Sequence, residues 1–600
     1  MPTNVTKRLY TQTPDPTNEQ EGHSKVELLM PIQTATVVII HPGSLNLRLG
    51  RASDTYPVTV PHCIARRSSH TQQKPEPWIC RPEYQHGDAK ALQKYGLKQA
   101  EEAIASRPTS TGEYRQPTSQ KLIFSYNNNA RGQVTDVICP QKWTDKQQDC
   151  LIGEEALHIK PGDRYQVHWP MRRGRLNLHD GPGGTLTAVL EDIETLWSIA
   201  IQTHLDIPIK DLKIYKALLL VPDVYVHNHV KHLMDILLNK LGFGAAIVIQ
   251  ESVCATFGAG VSSACVVDVG DQKVSVSCVE DGNSAKNTRI TMEYGGSDVT
   301  RCFHWLLQRS GFNPKEIDLN KTIDCQIMQE MKESYCHLDQ EKTGIQDHSL
   351  LIRKPQQHIV KYPVKLGDEA IVSPMSLFHP EMLGITGSHL VRTQGRFLGD
   401  PEDPHDEFYL QMTSREAKLA KKKDNTESKD NSELNLLDDS QLQTHMDEDS
   451  NDAPDTLNVT DTVKGGRKAD DDEPDMDTET SLQLMGVDQA ILKSIERCGN
   501  DEVKKKMYSC IVVVGGGLKF EGAQQWLQYK VWVGMPPQYR LMLETMDVIT
   551  RPKDMDPTFT CWKGAAVLAC LDTAQELWIR QKEWKQFSVR MLRERAPFTW

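Results

Sequence analysis

Three short stretches of this 600-residue chain place small residues where a strand would end. That arrangement lets a main chain approach a phosphate closely and donate its N–H groups. In "VVIIHPGSLNLR" the turn offers Gly43, the Ser44 hydroxyl and the amides of Ser44 and Leu45, with Arg48 just beyond as a positive charge. In "VVDVGDQKV" the turn offers Asp268, Val269, Gly270 and the Asp271 amide. Asp268 closes an apolar run and is the carboxylate best placed to face a metal ion. In "VVVGGGLKF" the glycines Gly515, Gly516 and Gly517 would admit a flat group such as adenine or ribose. One strand–glycine turn is more often a plain hairpin. Three in one chain argue for a shared nucleotide cleft. His41 stands out, because chemistry with a hard divalent ion favours oxygen ligands.

The elements that must position these turns alternate between strand and helix. "LTAVLEDIETLWSIAI" (186–201) has helical apolar spacing after a glycine-rich turn, and "KALLLVPD" (216–223) is a strand stopped by Pro222. "VKHLMDILLNKLGF" (230–243) predicts an amphipathic helix, "AAIVIQ" a strand and "ESVCATFGAG" the helix and turn after it. Residues 264–282 predict a hairpin, and "DCQIMQEMKESYCHL" a helix. Two strand–turn–strand units lie far apart in sequence, which suggests two related α/β lobes with a cleft between them.

Polar stretches interrupt this order. Residues 1–33 read as a tail, about 66–147 as a long insertion with short helical pieces such as "KALQKYGLKQAEEAI", and about 397–480 as a low-complexity insertion. Residues 421–480 hold 19 acidic against 7 basic side chains, a net of −12, which equals the net charge of the whole chain. The other 540 residues therefore balance, and the acidity belongs to one segment. The arginine clusters "MRRGR" (171–175) and "RMLRER" (590–595) offer contacts to DNA phosphates, with internal ion pairs as the plainer reading. The 14 cysteines include no Cys-x-x-Cys pair, which fits a reducing compartment better than zinc ribbons or disulfides. No apolar run approaches the ~18–20 residues that span a bilayer, and the first residues lack a secretory signal's apolar core. No membrane partner is expected.

The same stretches, in chain order, resemble actin. "VVIIHPGS…R", "VVDVGD", "VVVGGGLKF" and "CWKGAAVLACLDTAQELWI" are similar to its two phosphate loops, its adenosine loop and its C-terminal segment. "IGEEAL", "WPMRRGRLN", "LLLVPD" and "MKESYCHL" extend the resemblance over roughly 35–65, 148–395 and 481–600. It implies an α/β actin-like fold, two ribonuclease-H-like lobes around ATP. The first lobe would comprise 34–259 plus 560–600 and carry the 66–147 insertion; the second would comprise 260–559 and carry the acidic one. It places Gly43 and Ser44 on the terminal phosphates, Asp268, Gly270 and Asp271 on the second loop, and Gly516 and Gly517 on the adenosine loop. Lys332 and Glu333, in "EMKESY", would meet ribose and adenine.

Departures from that pattern carry as much information. His41 stands where actin has an Asp that organises the water shell of Mg²⁺. Leu45 and Gln272 replace loop glycines, Glu251 replaces the Gln that orients the attacking water, and Ser275 replaces a His near that water. The charge of Glu251 beside a γ-phosphate would repel the nucleotide. The resemblance thus implies ATP held weakly or structurally, with Mg²⁺ left open beyond a weak contact at Asp268, no catalytic residue, and at most slow turnover. It further implies a nuclear, non-polymerising scaffold subunit of an INO-eighty type ATP-dependent chromatin remodeller, with roles in transcription regulation and DNA repair. Expected partners are actin, another actin-related protein, a helix of a Snf2-type motor subunit, and histones or nucleosomal DNA. The alternatives are an active actin-fold ATPase or a cytoskeletal filament protein.

Overall fold

A computed structural model describes residues 34–68, 76–79, 89–145, 148–160, 162–312, 317–385, 391–394 and 483–598. The tail 1–33 and the acidic segment 421–480 lie outside the described residues.

Two mixed sheets form the framework. In the first, the order is Ile579–Arg580, Ala245–Gln250, Lys216–Val221, Val37–Pro42, Asn46–Arg51, Val58–Pro61. In the second it is Val391–Thr393, Ile290–Met292, Val274–Glu280, Ser263–Val269, Cys510–Val514, Asp547–Ile549. Each sheet has the same plan. A central strand pairs antiparallel with the strand that follows it in sequence and parallel with a later one. The two phosphate-type turns sit at equivalent corners, between Val37–Pro42 and Asn46–Arg51 and between Ser263–Val269 and Val274–Glu280. The central strands are apolar up to the ends that reach the turns, as strands covered on both faces must be: Val37 to Ile40 and Leu218 to Val221 are at most 1% exposed.

Two helices, Glu251–Ala259 and Thr560–Ala569, pack face to face between the sheets. A Cβ on Gly564 would lie 1.6 Å from the Cys254 carbonyl oxygen, and one on Gly258 2.1 Å from that of Thr560. Only glycine permits this approach. The core around the pair takes Val37, Ile39 and Ile247 from one sheet and Ala264, Val266 and Val512 from the other.

The helix expected over 230–243 runs as α-helix from His227 to Asp235 and then widens into a π turn, Ile236–Lys240. The Leu241 N–H reaches back to the Ile236 carbonyl, and the wider turn buries Ile236, Leu237 and Leu238 in succession.

Most of the insertion that interrupts the first lobe packs on the second; of its described residues, Glu76–Ile79 and Thr144 stay against the first. Its helix Ala89–Ala105 buries Leu97, Ala100 and Ile104 in the core of the second sheet. Gly96 is pressed on the Met382 backbone, where a Cβ would come within 2.5 Å of the nitrogen. The helix Gln120–Asn128 is anchored by Asn127, which donates to the Ser310 and Lys365 carbonyls and accepts from the Lys365 N–H. Strand Gln133–Ile138 joins the edge of the His358–Leu366 strand, and Arg115 pairs with Asp368 at 3.0 Å. The flanking strands, Ile64–Arg67 and Cys150–Ile152, pair with each other beside the first sheet. Polar composition concealed this docking because the buried face of each piece is only a few residues wide.

Candidate functional site

The two phosphate-type turns and the triple glycine converge on one cleft of about 350 Å³. Gly43, Ser44, Leu45, Arg48, Asp268, Gly270, Asp271, Lys332, Glu333, Gly515, Gly516 and Gly517 all line it. Val269 does not. It is buried in the sheet, and its carbonyl accepts the Gly517 N–H at 2.7 Å, which ties the glycine turn to the second loop.

Each turn is held from beneath. The Gly43 N–H donates to the Asn46 carbonyl at 2.9 Å. The Gly43 carbonyl accepts from Nδ1–H of His62 at 2.7 Å, while Nε2 of that ring accepts from the Trp197 indole at 3.2 Å. These two bonds fix one neutral tautomer, and burial pushes the His62 pKa down to about 4. Leu45 turns its carbonyl to the His62 N–H and packs on the small cluster around Trp78 and Trp169. The second turn closes with Gly270 N–H on the Lys273 carbonyl at 2.9 Å. Beneath it lies a glycine pair that sequence inspection missed: Gly296 N–H donates to the Gly270 carbonyl, and a Cβ on Gly295 would sit 2.7 Å from Asp271. Gly515 has φ +87°, open to glycine at little cost.

At the end of the cleft formed by Gly515–Gly517, Lys332 is buried and donates to the Gly296 carbonyl at 3.0 Å. Burial lowers its pKa, with Asp271 acting in the opposite direction. Asp271 is itself raised to about 6 by burial, and its Oδ2 has no protein partner. Arg48, half-buried at the cleft wall and lowered by desolvation there, leaves Nε without a partner. Buried polar atoms facing a cavity unsatisfied are costly to the empty protein and favour a polar ligand.

The opposite corner is paired within itself, although His41 Nδ1 has no partner. Nε2–H of His41 donates to Glu251 Oε1 at 3.1 Å. Lys273 Nζ donates to Glu251 Oε2 at 2.5 Å and to Asp268 Oδ2 at 2.8 Å. Ser275 Oγ lies 3.5 Å from the same ammonium and 3.0 Å from Thr291 Oγ1. Burial opposes ionisation of Glu251, but Lys273 and His41 outweigh it and hold the carboxyl well below its usual range. Asp268 is pushed up, by burial first and by the charge of Glu251. Burial would lower Lys273, but Asp268 and Glu251 more than offset it.

Two expectations are corrected here. Glu251 does not present a bare charge to a phosphate, because two donors neutralise it. Asp268 is not a free metal-facing carboxylate either: Oδ2 receives Lys273, and Oδ1 lies against Gly515, where a Cβ would be 2.7 Å away. Mg²⁺ requires near-octahedral oxygen ligands, and these residues do not fit it. Among the described residues, no group of three His, Cys, Asp or Glu side chains could hold a metal. Lys273 was visible in "GDQKV" five residues after its partner Asp268, but its second partner Glu251 lies on the preceding helix and is itself held by His41, so no local pattern marked the cluster.

The arginines of "MRRGR" face inward. Arg172 pairs with Glu76 at 2.9 Å and Arg175 with Glu293 at 2.5 Å. Arg173 crosses to Asp298 at 2.8 Å and to the Gln272 and Glu293 carbonyls. Burial raises the Asp298 pKa, but Arg173 and Arg301 more than reverse it. At the C-terminal end Arg595 pairs with Glu583, and Arg590 with Glu594.

Comparison with known proteins follows this geometry. The family profile described as Actin matches residues 32–597. Actin-related protein 8 of Bos taurus is 48% identical over 590 residues, covering 95% of this chain and 93% of the relative. The Aedes aegypti protein of that name is 39% identical over 581 residues, covering 95% and 98%. A solved structure described as human actin-related protein Arp8 in its ATP-bound state superposes with a TM-score of 0.79 at 44% identity, over 95% of this chain and 98% of that one.

Proposed function

Because the chain belongs to the actin family, in its actin-related protein 8 branch, we propose that it holds ATP in the cleft as a structural ligand and turns it over slowly or not at all. Its working output is then its surface. We assign it the role of a non-polymerising nuclear scaffold subunit of an INO-eighty type ATP-dependent chromatin remodeller. It would bind actin, another actin-related protein and a helix of a Snf2-type motor subunit, and contact histones or nucleosomal DNA, hence transcription regulation and DNA repair. The solved relative bound to ATP supports the ligand.

One observation carries the loss of turnover. Phosphoryl transfer depends on a positioned water and on neutralised charge, and at that corner His41, Glu251, Lys273 and Asp268 are bonded to one another instead. The inward arginines of 171–175 direct the search for a DNA contact elsewhere, and the acidic 421–480 segment is the better match for basic histones. The test is phosphate release by the purified chain with ATP, then recovery of partners from nuclear extract. Release far below ~1 s⁻¹, low among enzymes, with recovery of actin and a Snf2-type motor, is expected. Brisk turnover, or extract yielding neither partner, overturns the reading.

A further inference from the structure

We propose that Lys273 is the resident counter-cation of the cleft, so that this chain binds adenine nucleotide without requiring a divalent metal. The inference rests on the nucleotide reading above and extends it to the chemical form of the ligand.

The ammonium occupies the position between two carboxylates that a metal and its water shell would otherwise share. It is 2.5 Å from Glu251 Oε2 and 2.8 Å from Asp268 Oδ2. It is placed there by structure on both sides. The backbone of Lys273 closes the second turn onto Gly270. Its methylene stem runs beneath Gly174 of the opposite lobe, where a Cβ would come within 2.9 Å of Cδ. Gly174, at φ +77°, can lie over the stem because it has no side chain. The lysine is 8% exposed and lines the cleft.

An ammonium has three donors. Two make short bonds to carboxylates, and the third has only the 3.5 Å contact to Ser275 Oγ. That donor is available to a phosphoryl oxygen. Charge balance agrees. The lining holds four cations, Arg48, Lys273, Lys332 and Lys519, and four acids, Glu251, Asp268, Asp271 and Glu333. The protein lining therefore adds no excess of negative charge to the nucleotide's own phosphates to attract Mg²⁺. Removing the lysine charge would leave two facing carboxylates with nothing between them, which is a site for a divalent ion.

The experiment measures ATP affinity of the full chain by calorimetry in excess Mg²⁺ and in excess EDTA. The wild-type dissociation constants should agree within about threefold. Lys273→Gln should lose about tenfold or more in EDTA and recover most of it in Mg²⁺, whereas Lys273→Arg should stay insensitive to metal. A wild-type affinity that falls tenfold or more in EDTA overturns the inference, and so does a Lys273→Gln protein with the wild-type metal response. If Lys273→Gln does not fold, the two wild-type titrations decide alone. Absence of binding in both buffers is a different result. It brings down the nucleotide reading itself, and this inference with it.

Discussion

The two ends of the cleft solve opposite problems. On one side, beside the Gly515–Gly517 turn, half-buried Asp271 and Arg48 leave Oδ2 and Nε without protein partners. On the other, the charges of Glu251, Lys273 and Asp268 are paired and His41 Nε2 is bonded, with His41 Nδ1 left over. The first end gains by taking a ligand; the second is stable with none. The difference teaches that recognition and reactivity can be separated within one pocket. Backbone geometry keeps one side open while a few side chains close the other on itself.

The largest effect should come from closing the open end. In Gly515→Val the new side chain would meet the Val269 carbonyl oxygen, 2.3 Å from Cβ, at a φ of +87°. We expect more than about 4 kcal/mol of destabilisation and loss of any ATP-dependent rise in melting temperature. A variant that keeps its nucleotide response would show that this turn does not form the binding surface.

The second prediction separates a self-paired corner from a vacant metal site. Glu251→Gln leaves Lys273 and His41 facing a neutral amide. In a self-paired corner this should destabilise the nucleotide-free protein by about 3–5 kcal/mol, read from the denaturant midpoint. If the corner were built for a metal, removing one of two buried carboxylates would relieve repulsion and stabilise the free protein. The sign of the change decides.

The third concerns the support beneath the first turn. His62, His227 and His379 are each pushed down to about 4, mainly by burial. Their unfolded forms take up protons near pH 6.5 and their folded forms only near 4, so stability is full above 6.5 and is lost as pH falls through that window. Asp271, raised to about 6, works in the opposite direction over part of the same range. For His62 alone the loss amounts to about 3 kcal/mol. Unfolding of His62→Gln across pH 7 to 4 should be flatter than wild type by about that amount. Parallel profiles would show that His62 titrates normally.

How much of this was legible in sequence follows from the range of each interaction. The glycine turns are short-range objects, and Gly43, Gly270 and Gly515–Gly517 reach one cleft as their local patterns suggested. The repeated sheet plan was legible because each hairpin is local. Lys273 was not, since its meaning lies in Glu251, on the helix before its own hairpin, and in His41, 210 positions from that glutamate. Nor was the docking of Ala89–Ala105. Leu97, Ala100 and Ile104 make a narrow stripe, and the surface they cover belongs to residues near 380. The arginines of 171–175 could be read either way until Glu76, Asp298 and Glu293 were seen opposite them.

That docking has a bearing on motion between the lobes. The chain leaves the first sheet's side at Arg67, lays two helices and a strand on the other lobe, and is paired at home again by Cys150. Swinging the lobes apart would therefore require peeling Leu97 and Ile104 out of a core and breaking the Arg115–Asp368 pair. Wide opening of the cleft would draw on the stability of that docking. The insertion thus adds a strap between the lobes to the core that the two sheets already share.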